Sequence, residues 1–115
     1  MSPEIECPVA ATARILGARW TLQIIYNLRQ RRRYCELREL AGGVNPTTLS
    51  QRLKFLESRG LVRRLPISDA PRHVEYELTD MGRDLLPVLE AAARWAEKWL
   101  SRAANEDVPQ NVPAS

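Results

Sequence analysis

Residues 45–60 read NPTTLSQRLKFLESRG, and the fold turns on them. Asn45 can cap a helix whose first residue, Pro46, has its φ already set and no needed N–H to lose. Leu49, Leu53 and Leu56 then recur at spacings of four and three, one apolar stripe of a 3.6-residue helix. The opposite face carries Thr47, Gln51, Lys54 and Ser58, with Ser50 at its margin. Hydroxyls, an amide and a cation, with no carboxylate among them, can hydrogen-bond base edges and phosphates without repelling a polyanion. A plain solvated helix face is the alternative, and the flanking sequence decides between them.

Upstream, Cys35–Ala41 reads as a brief helix with Leu37, Leu40 and Ala41 inward. Gly42 and Gly43 stop it, because glycine takes the left-handed conformation cheaply. A short helix, a Gly-containing turn and a second amphipathic helix make a helix-turn-helix unit. Downstream, Leu61–Ile67 and His73–Leu78 are strand-like, separated by residues 68–72. In the second strand Val74, Tyr76 and Leu78 alternate with His73, Glu75 and Glu77, the period of a half-buried strand. A hairpin directly after such a helix is a wing, with Arg72 at its tip placed to reach a minor groove or a phosphate. His73 reads as a strand-surface residue.

Residues 1–6 read as an arm, and Cys7–Pro8 opens a helix running to about Ala18 with Val9, Thr12, Ala13 and Leu16 on one face. Arg19–Gln30 is a second helix with Trp20, Ile24, Ile25 and Leu28 as its apolar body. Arg29-Gln30-Arg31-Arg32-Arg33 is too charged to be buried, and is either a solvated turn or a phosphate clamp. Tyr34 reads as one residue of a short strand. Thr79 caps a last long helix reaching about Arg102, kinked at Pro87, where a helical hydrogen bond is lost. The apolar surface of this last helix is wider than so small a domain can cover alone. Trp95 and Trp99, four apart, are either core or the centre of a dimer interface. The expected organisation is one ordered domain over 1–102 and a disordered tail, 103–115, whose apolar content is too low to pack.

The chain has 115 residues, with 17 Lys and Arg against 14 Asp and Glu. The net +3 says little, but residues 1–72 hold +7 and residues 73–115 hold −4. A polarised chain suits one basic face for a polyanion. Fifteen of the basic residues are Arg, the better group for bidentate phosphate and guanine contacts. Cys7 and Cys35 make no secreted-type disulfide framework, no signal peptide is legible, and no apolar run reaches a membrane span, so the cytoplasm is the expected location. One His and two Cys cannot supply a four-ligand zinc site, and no cofactor is expected. No acid–base pair, nucleophile dyad or phosphate loop can be assembled, which excludes an enzyme reading.

Six strings in order resemble the HxlR-type winged helix-turn-helix regulators, a branch of the MarR-like transcription factors. They are Cys7-Pro8-Val9, Gly17-Ala18-Arg19-Trp20-Thr21, Glu36-Leu37-Arg38, Asn45 through Leu53, Glu57 through Val62, and Val74 through Thr79, spanning residues 7 to about 100. Cys35 stands where the family usually has a Ser-like cap, and Asn45 where it often has Ser. The resemblance implies a mainly α fold with a small β-hairpin wing, dimerising through its terminal helices, and a homodimer on a pseudo-palindromic operator in double-stranded DNA. Val9, Leu16, Leu89, Ala92, Trp95, Ala96 and Trp99 are the candidate dimer surface.

For DNA, the candidates are Pro46, Thr47, Thr48, Ser50, Gln51 and Lys54 on the helix, with Arg33 and Arg72 as phosphate or minor-groove contacts. Gln51 can read adenine bidentately, and Thr48 can offer its hydroxyl or backbone N–H to phosphate at the positive end of the helix dipole. Arg52, nearer the apolar edge, is assigned to an internal ion pair. Cys7 lies beside a helix N-terminus, which favours thiolate, while Glu4 and Glu6 oppose it. The family includes members that sense oxidants or electrophiles through a cysteine at this position. Cys7 is therefore either a redox sensor or an unreactive packed thiol, and Cys35 is assigned a structural role. A small-molecule effector is the rival input, and a protein-interaction adaptor the rival use of the fold. The acid-free helix face and the +7 front half argue against the adaptor.

Overall fold

The computed structural model describes residues 6–67 and 73–107. Its elements in chain order are α1 (Pro8–Leu16), α2 (Thr21–Asn27), β1 (Arg32–Arg33), α3 (Tyr34–Leu40), α4 (Pro46–Ser58), β2 (Val62–Pro66), β3 (Val74–Leu78), α5 (Asp80–Arg83) and α6 (Leu86–Asp107). Helices around a small antiparallel sheet, with α3, a glycine turn and α4 in sequence, form a winged helix-turn-helix.

The core follows the sequence pattern closely. Leu49, Leu53 and Leu56 of α4 are 0–1% exposed, alongside Ile24 and Ile25 of α2, Leu28 just past its end, and Leu37 of α3. Each such side chain removed from water contributes about 1.5–3 kcal/mol, which clamps α4 by its leucine stripe. β3 alternates as expected, with Val74, Tyr76 and Leu78 buried and Glu75 and Glu77 half-exposed. Leu40 is a correction: it is 45% exposed while Leu37 and Ala41 are buried. Those two are four apart on one stripe, while Leu40 lies about 100° around the helix axis from Ala41 and so falls outside it.

The wing is broader than a hairpin. β1 pairs antiparallel with β3, so the sheet runs β1-β3-β2, with Arg32 opposite Tyr76 and Arg33 opposite Glu75. The strand residues are thus Arg32 and Arg33, and Tyr34 opens α3 instead. Glu36 explains the change: its carboxylate accepts the Arg33 N–H at 2.8 Å and starts the helix there. Cys35 is therefore the second residue of α3 and not its cap. Two glutamates of β3 are taken up locally, Glu75 by Arg31 and Glu77 by Arg63.

α2 begins at Thr21, two residues later than expected, because Trp20 sits at φ 79°. A left-handed tryptophan costs about 1–3 kcal/mol and persists only where its surroundings hold it. Here Arg52 of α4 donates Nε–H to the Arg19 carbonyl at 2.9 Å, and the Arg19 guanidinium lies 4.8 Å from the Trp20 ring. Arg52 is thus a hydrogen-bonded brace between α4 and the α1–α2 turn, and makes no ion pair among the described residues.

The end of β3 is tied back to the end of α4. Thr79 donates its hydroxyl to Gly60 O at 2.6 Å and its N–H to Leu61 O at 3.0 Å, and caps Gly82 N–H at 3.2 Å. Gly60 has φ +82°, a conformation that suits only glycine well. The expected helix from Thr79 to Arg102 is instead two helices, α5 and α6. Pro87 cannot donate to the Arg83 carbonyl, and the chain breaks at Asp84–Leu85 instead of merely kinking. α6 continues past Arg102 to Asp107, into the segment expected to be disordered. The chain divides into two compact units, Met1–Asp84 and Leu85–Ser115. Among the described residues no helix is long and apolar enough to cross a membrane.

Candidate nucleic-acid interface

α4 presents its polar face outward. Thr47, Ser50, Gln51, Lys54 and Ser58 are exposed, opposite the buried leucines, and Thr48 is half-buried at the side. The helix's one carboxylate, Glu57, lies in its last turn, away from the Pro46 end. Asn45 caps the helix through Oδ1, which accepts the Thr48 N–H at 3.0 Å. That bond commits the Thr48 amide, so of its two expected phosphate donors only the hydroxyl is left. The Asn45 cap is neutral, and the positive end of the helix dipole stays unopposed by any acid in the first turn.

Two of the exposed hydroxyls are already partnered. Ser58 gives its proton to Phe55 O at 2.7 Å. Ser50 Oγ lies 3.3 Å from the phenol oxygen of Tyr34, which also donates to Pro46 O at 3.2 Å. Tyr34 is the residue that sequence reasoning missed, since it was read as a strand position and lies 16 residues from Ser50. No local signal could have found it.

The arginine run 29–33 separates into roles. Arg29 folds over Tyr26, 3.9 Å from the ring, with its Nε on Tyr26 O at 2.9 Å. Arg31 pairs with Glu75, and Arg32 donates to Asn27 O at 3.1 Å. Arg33 is exposed and makes no ion pair among the described residues, so its guanidinium is open to a phosphate. Arg72 lies outside the described residues. A groove of about 470 Å³ runs beside the turn into α4, lined by Cys35, Arg38, Glu39, Gly43, Val44, Asn45 and Pro46.

Cys7 is an exposed free thiol at the N-cap position of α1, and Cys35 is also exposed and free. The N–H groups of Ala10, and then Val9, hold the Cys7 thiol below its ordinary value, without closing a cap hydrogen bond. The expected opposition from Glu6 is relieved, because Glu6 is paired with Arg14. Of the candidate dimer residues, Val9 is 76% exposed and Leu16 half-buried; no residue of α1 is buried. On α6, Trp95 and Trp99 are each 58% exposed, Ala92 is exposed, Ala96 is half-buried and Leu89 is 6% exposed.

Leucines clamp α4 from behind, a glycine turn precedes it and a β wing follows, so the class is a winged helix-turn-helix protein. Residues 15–104 match the HxlR-like helix-turn-helix family, and the chain belongs to it as a helix-turn-helix-type transcriptional regulator. It is 39% identical over 95 residues to the uncharacterised HTH-type transcriptional regulator BH0655 of Halalkalibacterium halodurans, covering 81% of this chain and 84% of that protein. Among solved structures it is similar to a MarR-family transcriptional regulator from Porphyromonas gingivalis, at 33% identity and TM-score 0.78, covering 86% of this chain and 98% of that one. The redox regulator HypR in its reduced form matches at 30% identity and TM-score 0.75, over 80% of this chain and 92% of that one.

Proposed function

We propose that this regulator is a homodimer that binds a pseudo-palindromic operator in duplex DNA, with α4 of each copy in a major groove. The observation that carries this is the exposed, acid-free face formed by Thr47, Ser50, Gln51 and Lys54, aimed outward by three buried leucines. In this reading Gln51 bonds adenine through its N6 and N7, while Thr47 and Ser50 meet base edges. Lys54 supplies charge. Pro46 and the Thr48 hydroxyl lie against the backbone at the helix N-terminus, and Arg33 and Arg72 take phosphates or the minor groove. The two exposed tryptophans of α6 and the uncovered apolar face of α1 support a second copy as the dimer partner, through Val9, Leu16, Ala92, Trp95, Ala96 and Trp99, while Leu89 is already buried within the chain. Such a dimer would set half-sites about one helical turn, roughly 10 bp, apart.

Oxidants or electrophiles acting on Cys7 are the proposed input. An exposed thiol with a lowered pKa supports this, as does likeness to a protein named as a redox regulator. The cytoplasm is the proposed location. Selection of bound duplexes from a random pool, with and without mild oxidant, tests the whole reading. Enrichment of a two-fold site, weakened by oxidant in the native chain but not in Cys7→Ser, is expected. No enrichment of any sequence would end the DNA reading, and an oxidant response that survives Cys7→Ser would end the sensor assignment.

A further inference from the structure

The phenol of Tyr34 has one proton and two neighbours within hydrogen-bond distance, Pro46 O at 3.2 Å and Ser50 Oγ at 3.3 Å. A carbonyl oxygen can only accept. Both contacts are therefore hydrogen bonds together in one arrangement alone: Tyr34 donates to Pro46, and Ser50 donates to Tyr34. This leaves Ser50, exposed on the outer face of α4, with lone pairs outward and no proton to give.

We propose that Tyr34 is a specificity-determining positioning residue, fixing Ser50 as an acceptor so that it selects an exocyclic amine on the base it meets. The amines presented in the major groove are N6 of adenine and N4 of cytosine. Guanine and thymine offer O6, N7 and O4, and phosphate offers only oxygens; all of these face Ser50 lone pair to lone pair. The hydroxyl, which as a free rotor would bond either kind of group, is converted into a reader of one kind. Among the described residues no hydrogen bond orients Lys54 or Gln51 in this way. The inference rests on α4 entering a major groove as proposed above, and it adds which chemistry Ser50 recognises there.

The test uses the full chain and its selected duplex, with the base pair at each operator position replaced in turn, titrated for the native protein, Tyr34→Phe, Ser50→Ala and the double variant. Tyr34→Phe keeps the ring and removes one oxygen. The native chain should prefer adenine or cytosine over guanine or thymine by about 3- to 10-fold at one position per half-site, the range of a single hydrogen bond. Tyr34→Phe should reduce that preference to about 2-fold or less, with the salt dependence of binding unchanged because no phosphate contact is lost. In the Ser50→Ala background the tyrosine change should have no further effect on base preference. A purely structural tyrosine would instead weaken binding to all sequences alike in both backgrounds, and that result overturns the proposal. A native preference for guanine or thymine at the position sensitive to Ser50→Ala would overturn it as well. If the native chain binds no duplex specifically, the DNA reading itself has failed; specific binding with unaltered preference in Tyr34→Phe rejects only the proton assignment.

Discussion

Asn45→Asp separates the two things the α4 N-terminus is asked to do. In the free protein the substitution keeps an oxygen where Oδ1 accepts the Thr48 N–H at 3.0 Å, so the cap survives. It adds a negative charge at the positive end of a 13-residue helix that has no acid in its first turn. Such a charge stabilises a helix by about 0.3–1 kcal/mol. Against DNA the sign reverses. A phosphate within about 6 Å of that carboxylate is repelled by about 0.7–3 kcal/mol for an effective dielectric between 80 and 20, or about 3- to 100-fold in affinity. Urea denaturation should therefore give an equal or higher midpoint. Fluorescence anisotropy with a labelled operator should give weaker binding, with the loss shrinking as salt rises from roughly 50 to 200 mM. A variant that is as stable as expected and binds DNA as tightly as the native chain would show that the N-terminus of α4 does not approach phosphate.

Gly82→Ala addresses the packing that seats α4. A Cβ there would lie 2.2 Å from Leu61 O, the same oxygen that accepts the Thr79 N–H, and 3.0 Å from Leu78 Cδ2. Overpacking of about 1–3 kcal/mol plus a weakened hydrogen bond should outweigh the roughly 1 kcal/mol of helix propensity gained, for a net loss of about 1–3 kcal/mol in denaturant unfolding. Equal or greater stability would refute the contact. For Cys7 the folded-state pKa is lowered, so thiolate persists to lower pH than in the unfolded chain. In a Cys35→Ser background, the half-maximal pH for iodoacetamide alkylation should lie below that of the same chain in denaturant, and coincident profiles would remove the helix N-terminus from the account. Trp95→Ala with Trp99→Ala should raise the dimer dissociation constant in sedimentation by roughly 10³-fold, given that buried interface tryptophans are worth about 2 kcal/mol or more each. An unchanged dimer, or a native chain that sediments as a monomer, would move the interface elsewhere or abolish it.

Much of the fold was legible because its signals are local. The leucine stripe of α4, the Asn45 and Thr79 caps, the glycine turn and the alternation in β3 are each written within one helical or strand period, and the structure places those side chains as the period requires. The outward polar face of α4 follows from the same stripe, since burying one side of a helix exposes the other. Pro87 was legible as an interruption, but whether a helix bends or ends there depends on what the flanking turns pack against.

Contacts between residues far apart in the chain were decided only by the tertiary structure. Arg31 reaches Glu75 across 44 residues, Arg52 reaches the Arg19 carbonyl across 33, and Tyr34 reaches Ser50 across 16. The first takes one arginine of a five-residue cluster into an ion pair, the second braces the turn that holds a left-handed tryptophan, and the third sets a tyrosine hydroxyl against a serine on the outer face of α4. Periodicity reports which face of an element turns inward; which partner it meets there is set when separate elements dock, and no single stretch of chain encodes that.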